Sequence, residues 1–237
     1  MYAKDGNHKY LNGGTAIVND LKSKVDNGGV FIYNHIVNKI YISVNNEREI
    51  MNKKNKMTTQ SVVLVGMFAA ILAVLSQISI PMPSGVPVTM QTFAVALTGC
   101  VLGWKKGTMA SVIYIVLGGV GVPVFSGFAG GPGILFGKTG GFIFGFIFLA
   151  LLCGLAVVVK NKVLGGILAA CGLLICHVLG ILQFMLLMKM SFWSSAVLVS
   201  VPYLIKDVIS IVLAFVVGAI LRKSLNAANI LTYANTI

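Results

Sequence analysis

From residue 59 to residue 221 the chain is a succession of apolar runs broken by short polar, Gly-rich or Pro-rich links. A helix needs about 20 apolar residues to cross the hydrocarbon core of a bilayer. On that measure six membrane helices are predicted, over 59–80, 88–102, 107–124, 140–159, 163–188 and 202–221. The first ends at Pro81, the second is short and polar at its start, and the third ends in glycines. A short amphipathic stretch over 192–201 precedes the last. Residues 1–50 break the pattern: they are polar and rich in Asn and Gly, with one β-like stretch over 30–44. They hold no apolar signal core followed by a small-residue cleavage site. Met51 begins Met-Asn-Lys-Lys-Asn-Lys-Met, which reads as a cytoplasmic start. Residues 1–56 are therefore expected to be a dispensable polar extension, 57–223 the membrane domain, and 224–237 a short cytoplasmic tail.

Composition supports the membrane reading. Only 10% of residues are charged and mean hydropathy is +0.92, whereas a soluble domain carries roughly 25% charge. Residues 1–50 hold five of the six acids, which leaves Asp207 as the one acid of the apolar portion. The formal charge of +12 does not point to nucleic acid, because the basic residues sit in small groups at the ends of apolar runs. Lys53, Lys54 and Lys56 precede the first run, Lys105 and Lys106 follow the second, Lys160 and Lys162 follow the fourth, and Arg222 and Lys223 follow the sixth. That alternation predicts six crossings with both termini cytoplasmic. Trp104 and Trp193 fall at run ends, where interfacial indoles are expected.

An ionisable group within a span is costly and marks a candidate functional site. Asp207 either neutralises a lysine, Lys206 or Lys138, or accepts hydrogen bonds from a ligand's N–H groups. Lys206 projects about 100° away from it around the helix, so the two do not simply face each other. His177 reads more readily as a packed or hydrogen-bonded core histidine than as a metal or proton site. Gln183 is expected to bond between helices, while Gln91 is equally a ligand candidate. The uncharged links at 81–87 and 118–137 are rich in Pro and Gly, and irregular backbone at membrane depth is tolerated where it lines a cavity. Phe125, Phe128, Ile134, Leu135 and Phe136 would be poor solvent-exposed residues there. Gly137-Lys138-Thr139 is not a nucleotide loop, since Pro132 stands where that pattern needs glycine. Cys100, Cys153, Cys171 and Cys176 read as buried small hydrophobes, without metal-ligand or disulfide spacing. On the first helix, Gly66 and Ala70, or Ala69 and Ala73 in the overlapping register, would let another helix pack closely.

Four ordered segments together resemble the BioY family, the biotin-binding S-components of energy-coupling factor vitamin transporters. They are Gln77-Ile-Ser-Ile-Pro-Met-Pro with Val86-Pro-Val-Thr-Met-Gln-Thr-Phe; Tyr114-Ile-Val-Leu-Gly-Gly-Val-Gly-Val-Pro-Val-Phe; Gly137-Lys-Thr-Gly-Gly-Phe; and Pro202-Tyr-Leu-Ile-Lys-Asp. The resemblance spans residues 57–223. It implies an all-α integral membrane bundle of six helices, with an outward-facing ligand pocket capped by the link between helices 1 and 2. It implies a membrane coupling subunit as partner, packed on Ala69 and Ala73, and two cytoplasmic ATPases. It implies no cofactor and no catalysis. Asp207 would then meet the ureido group of biotin, Gln91 or Tyr114 its oxygen or second N–H, and Phe125 its ring. Lys138, with the backbone N–H groups of Thr139 and Gly140, would meet the carboxylate. Two positions depart from the family pattern. Lys138 stands in place of the usual proline, and Ser210 in place of a lysine three residues after the acid, so Lys206 or Lys138 would supply that charge. An autonomous secondary transporter, with Asp207 as proton site, and an S-component for another vitamin are the competing readings. An intramembrane enzyme would need a paired acid, base or nucleophile, and one acid with a distant His177 makes a poor set.

Overall fold

The computed structural model describes residues 37–45, 59–228 and 230. The chain divides into two compact units, 1–57 and 58–237. In the first, residues 37–45 are helical rather than extended, which corrects part of the β-like reading; residues 30–36 lie outside the described residues. Among the described residues no strand pairs with this segment, and an unpaired segment meets its own backbone hydrogen bonds as a helix.

The second unit is helical. In chain order it comprises α1 (Thr59–Ser76), β1 (Ser79–Ile80), β2 (Val88–Thr89), α2 (Gln91–Gly119), a 3₁₀ turn (Ser126–Phe128), α3 (Pro132–Leu135), α4 (Gly140–Ala156), α5 (Lys162–Met188), α6 (Phe192–Val199) and α7 (Val201–Ala227). Helices α1, α5 and α7 are long and apolar enough to span a membrane, α2 is also long and apolar but bent at Gly103, and α4 is a shorter apolar helix. This is a multi-pass membrane protein. The core is largely apolar with a few buried polar groups, and large apolar side chains also cover the outside. Helix α7 buries Tyr203, Asp207, Ser210, Ala214 and Gly218 along one face while Ile205, Val208, Ile209 and Val212 are exposed. The buried positions recur at three- and four-residue spacing, as one helix face requires.

The long α2 is a hairpin. A straight helix would separate Gln91 from Tyr114 by about 34 Å at ~1.5 Å per residue, yet Gln91 Nε2 donates to Tyr114 Oη at 2.7 Å. The reversal falls at Gly103, whose φ of 77° and ψ of 173° are non-helical. Glycine takes such a conformation without a Cβ penalty. The two arms then press together, so that a Cβ on Gly107 would lie 2.8 Å from Gly99 Cα. Helix α4 fits between α2 and α5 by the same means. A Cβ on Gly154 would lie 2.5 Å from Trp104 Cα, and one on Gly145 2.6 Å from Cys176 Cα. Gly165 adjoins Ala156 and Gly218 adjoins Cys100. These approaches bring the Gly103 turn, the α4–α5 link and the end of α7 together. Lys105, Lys106, Lys160, Lys162, Arg222 and Lys223 therefore gather at one end of the bundle.

Several boundaries move. The first helix stops at Ser76 rather than residue 80, because Ser79–Ile80 pairs antiparallel with Val88–Thr89. The residue before Pro81 is biased toward extended backbone, and the pairing uses that bias. The last helix continues to Ala227, so the predicted tail begins as helix. On α1 the buried face runs Ser61, Leu64, Val65, Phe68, Ala69, Leu72 and Ser76. Ala69 thus belongs to the chain's own core and Ala73 is half-buried, while Gly66 and Ala70, in the other register, are exposed. The spacing alone does not choose between two registers on a helix that is apolar almost all round. Cys171 is exposed, unlike the other three cysteines.

Candidate functional site

At the end opposite the basic cluster lies a cavity of about 650 Å³. Its wall comes from the 81–87 link, the start of α2, the 125–139 connection, α4, α5 and α7. Most of the wall is apolar, with a few polar groups converging on it, the usual make-up of a small-molecule site.

The densest chemistry lies between α5 and α7. Asp207 is 5% exposed. Its Oδ2 lies 3.2 Å from His177 Nε2, and its Oδ1 is ion-paired to Lys206 Nζ. The adjacent lysine thus does reach the acid, against the 100° offset of their Cα–Cβ directions; its four-carbon stem bends back across the helix surface. The same ammonium donates to the Thr89 carbonyl on β2 at 2.8 Å. Behind the imidazole, Ser200 Oγ lies 2.8 Å from His177 Nδ1, and the Phe142 ring stands edge-on at 5.8 Å. His177 is the hydrogen-bonded, buried histidine expected, but it also lines the cavity.

A second group stands on α2. Gln91 Oε1 accepts from Thr89 Oγ1 at 3.2 Å, and its Nε2 donates to Tyr114. Tyr114 stands behind Gln91 and edge-on to Phe125, ring centroids 5.5 Å apart at 86°. Phe125 lines the cavity while exposing only 1% of its surface. Its ring lies flat on Gly118, where a Cβ would come within 2.1 Å of Phe125 Cζ.

Two glutamines fasten the connection that carries Phe125 and Lys138. Gln77, just past α1, donates from Nε2 to Phe125 O at 3.1 Å and accepts at Oε1 from Phe128 N at 2.8 Å. Ser76 Oγ donates to Val124 O. At the far end Gln183 Nε2 donates to Leu135 O at 2.8 Å and Gly137 O at 2.7 Å. Gln183 thus bonds the end of α3 and the turn beyond it rather than the flank of another long helix. Phe128 and Phe136, expected inside, are 73% and 71% exposed. Only Phe125, Ile134 and Leu135 of that apolar set turn inward.

Lys138 and Thr139 line the cavity. The Lys138 side chain lies alongside Gly85 in the 81–87 link. Gly85 has a φ of 79°, left-handed backbone that glycine adopts freely. Gly140 is not in the wall; a Cβ there would meet Leu135 O and Gln183 Nε2, so it serves packing. Of the candidate residues, Gln91, Phe125, Lys138, Thr139, Lys206 and Asp207 share the cavity, with Tyr114 supporting from behind. The sequence reading missed Tyr203, whose Oη donates to Val86 O at 2.6 Å and lies 3.1 Å from Ser84 Oγ. It stands four residues before Asp207 on the same helix face, and that spacing is the signal that finds it. Among the described residues no group of His, Cys, Asp or Glu is arranged to hold a metal ion.

The model of the BioY family matches residues 51–227. The biotin transporter BioY of Thermotoga maritima is 38% identical over 167 residues, which cover 69% of this chain and 96% of that protein. Biotin transporter BioY2 of Lactococcus lactis subsp. cremoris is 34% identical over 172 residues, 71% and 93% of the two chains. Among solved structures, the S-component for biotin from an ECF-type ABC transporter superposes with a TM-score of 0.64. That match covers 71% of this chain and 95% of the other at 22% identity, a likeness of fold.

Proposed function

The chain belongs to the BioY family, and we propose that it is the membrane subunit that captures biotin at the extracellular face for ATP-driven uptake. The observation that carries this reading is a buried carboxylate, Asp207, in the wall of a largely apolar cavity of about 650 Å³. Biotin presents what such a wall receives: ureido N–H donors, an apolar fused ring and an anionic tail. The two relatives described above are named as biotin transporters, which supports the choice of vitamin.

In this reading Asp207 accepts from the ureido N–H groups, and Phe125 covers the ring. Gln91, held by Thr89 and Tyr114, faces the remaining ureido atoms. Lys138 and Thr139 at the cavity mouth receive the carboxylate, and charge-assisted hydrogen bonds of this kind are the stronger ones. Lys206 supplies the cation beside the acid. The basic end of the bundle faces the cytoplasm, which puts the cavity outside. The two arms of α2 then count as separate passes, giving six with both termini cytoplasmic, in the cell membrane. A membrane coupling subunit and two ATPases supply the energy, with Gly66, Ala70 and the half-buried Ala73 presenting small residues to the coupling helix.

The test is direct binding by the purified chain across a panel of vitamins. Biotin is expected to bind alone among them. Asp207→Asn is expected to weaken it about ten- to a hundredfold, the equivalent of ~1.5–3 kcal/mol for one charged hydrogen bond. Tighter binding of another vitamin, or an unchanged constant in Asp207→Asn, would sink the reading.

A further inference from the structure

His177 has no part in the binding scheme above, yet its imidazole is fixed on two sides. Nε2 faces Asp207 Oδ2 at 3.2 Å, and Nδ1 faces Ser200 Oγ at 2.8 Å. A carboxylate only accepts, so Nε2 must carry the proton. Nδ1 and the Ser200 hydroxyl share the second hydrogen bond. Ser200 is itself held: its N–H donates to Ala196 O at 2.9 Å, and its carbonyl accepts from Tyr203 N and Leu204 N at 3.0 Å. The serine sits at the junction of α6 and α7, so that junction helps fix the plane of the ring.

The two carboxylate oxygens are thereby made different. Oδ2 is occupied by the imidazole N–H. Oδ1 is buried and faces the Lys206 ammonium, with no hydrogen bond of normal geometry from another described group. A carboxylate oxygen can accept more than one hydrogen bond, and this one belongs to a residue that lines the cavity.

We infer that His177 is a positioning residue for ligand recognition: by holding Oδ2 it turns Oδ1 of Asp207 toward the cavity as the single acceptor for a ligand N–H. This rests on the proposed function and deepens it. The ligand chemistry that follows is a cyclic urea or amide with at least one free N–H. A ligand lacking that hydrogen leaves Oδ1 with Lys206 alone.

The experiment is equilibrium titration of the full-length chain in detergent with biotin and with a ring-N-methylated biotin analogue. The wild-type biotin titration, run first, judges the functional reading alone; the variants judge His177. His177→Phe keeps a planar ring of similar size and loses both hydrogen bonds. It is expected to weaken biotin at least tenfold and to shrink the preference for biotin over the methylated analogue. His177→Gln, which restores an N–H near the Nε2 position, is expected to return within about threefold of wild type. In an Asp207→Asn background, His177→Phe is expected to change affinity by less than twofold, since contacting residues couple and independent ones add. Equal affinities for the Phe and Gln variants would overturn the inference, as would the same loss from His177→Phe in both backgrounds. Should His177→Phe fail to purify, Ser200→Ala takes its place. A three- to tenfold loss confined to the Asp207 background supports the assignment, and a wild-type constant overturns it.

Discussion

At the scale of single residues, the site depends on what stands behind each wall group. Phe125 has its ring position because Gly118 offers no Cβ. Gly118→Ala is therefore expected to displace the ring and destabilise the chain by about 1–3 kcal/mol, as overpacking does. A lower thermal midpoint in detergent together with weaker biotin binding would be the sign. Lys138 is assigned to the carboxylate, and biotinamide lacks that charge. Wild-type protein should prefer biotin over biotinamide, and Lys138→Ala should lose most of that preference; equal discrimination in both proteins would refute the assignment. Residue chemistry was legible where a polar group stood alone in an apolar run, as Asp207 did. It was less legible where geometry depends on a flexible stem. The angular offset of Lys206 from Asp207 is real at Cβ and irrelevant at Nζ. The role of Ser200 was invisible, because a serine between two helices carries no sign of the imidazole it meets.

Among the elements, the cavity roof is made of connections held by helices. Gln77 and Ser76 fasten one end of the 124–137 segment and Gln183 the other. Each backbone carbonyl at membrane depth needs such a partner. Gln77→Ala and Gln183→Ala are expected to raise hydrogen exchange in the near end and the far end of that segment respectively, and to speed biotin release. Uniform protection in both variants would show that the glutamines do not hold it. Centres of the long helices could be read directly, because bilayer thickness demands an apolar run. Their ends could not be placed as well. The β1–β2 pairing joins residues about ten apart, and nothing in either two-residue stretch announces the other. The small residues of α1 were visible, but their outward register was decided by which face α2 covers.

For the whole molecule, polarity runs from end to end. Basic residues gather at one end and the cavity opens at the other. Single cysteines placed at Lys106 and at Ser84 should label from opposite sides of intact vesicles, the first from the cytoplasm; labelling from the same side would overturn the orientation. Removing residues 1–50 should leave the biotin constant unchanged in the purified chain, and a lost site would assign that segment a part in binding. In reconstituted vesicles uptake should require the ATPase module, whereas uptake by this chain alone would favour the secondary transporter. The glycine approaches among Gly99, Gly107, Gly154 and Gly218 give the basic end its character: Val101, Ala150, Cys153 and Ala214 there are fully shut off. The bundle is therefore a cup rather than a pipe. A molecule resting at its bottom has backbone packed on backbone beneath it, and it cannot travel onward along the helices. On the proposed function, delivery would require moving the bundle or parting its walls, and the close glycine contacts at its base oppose parting.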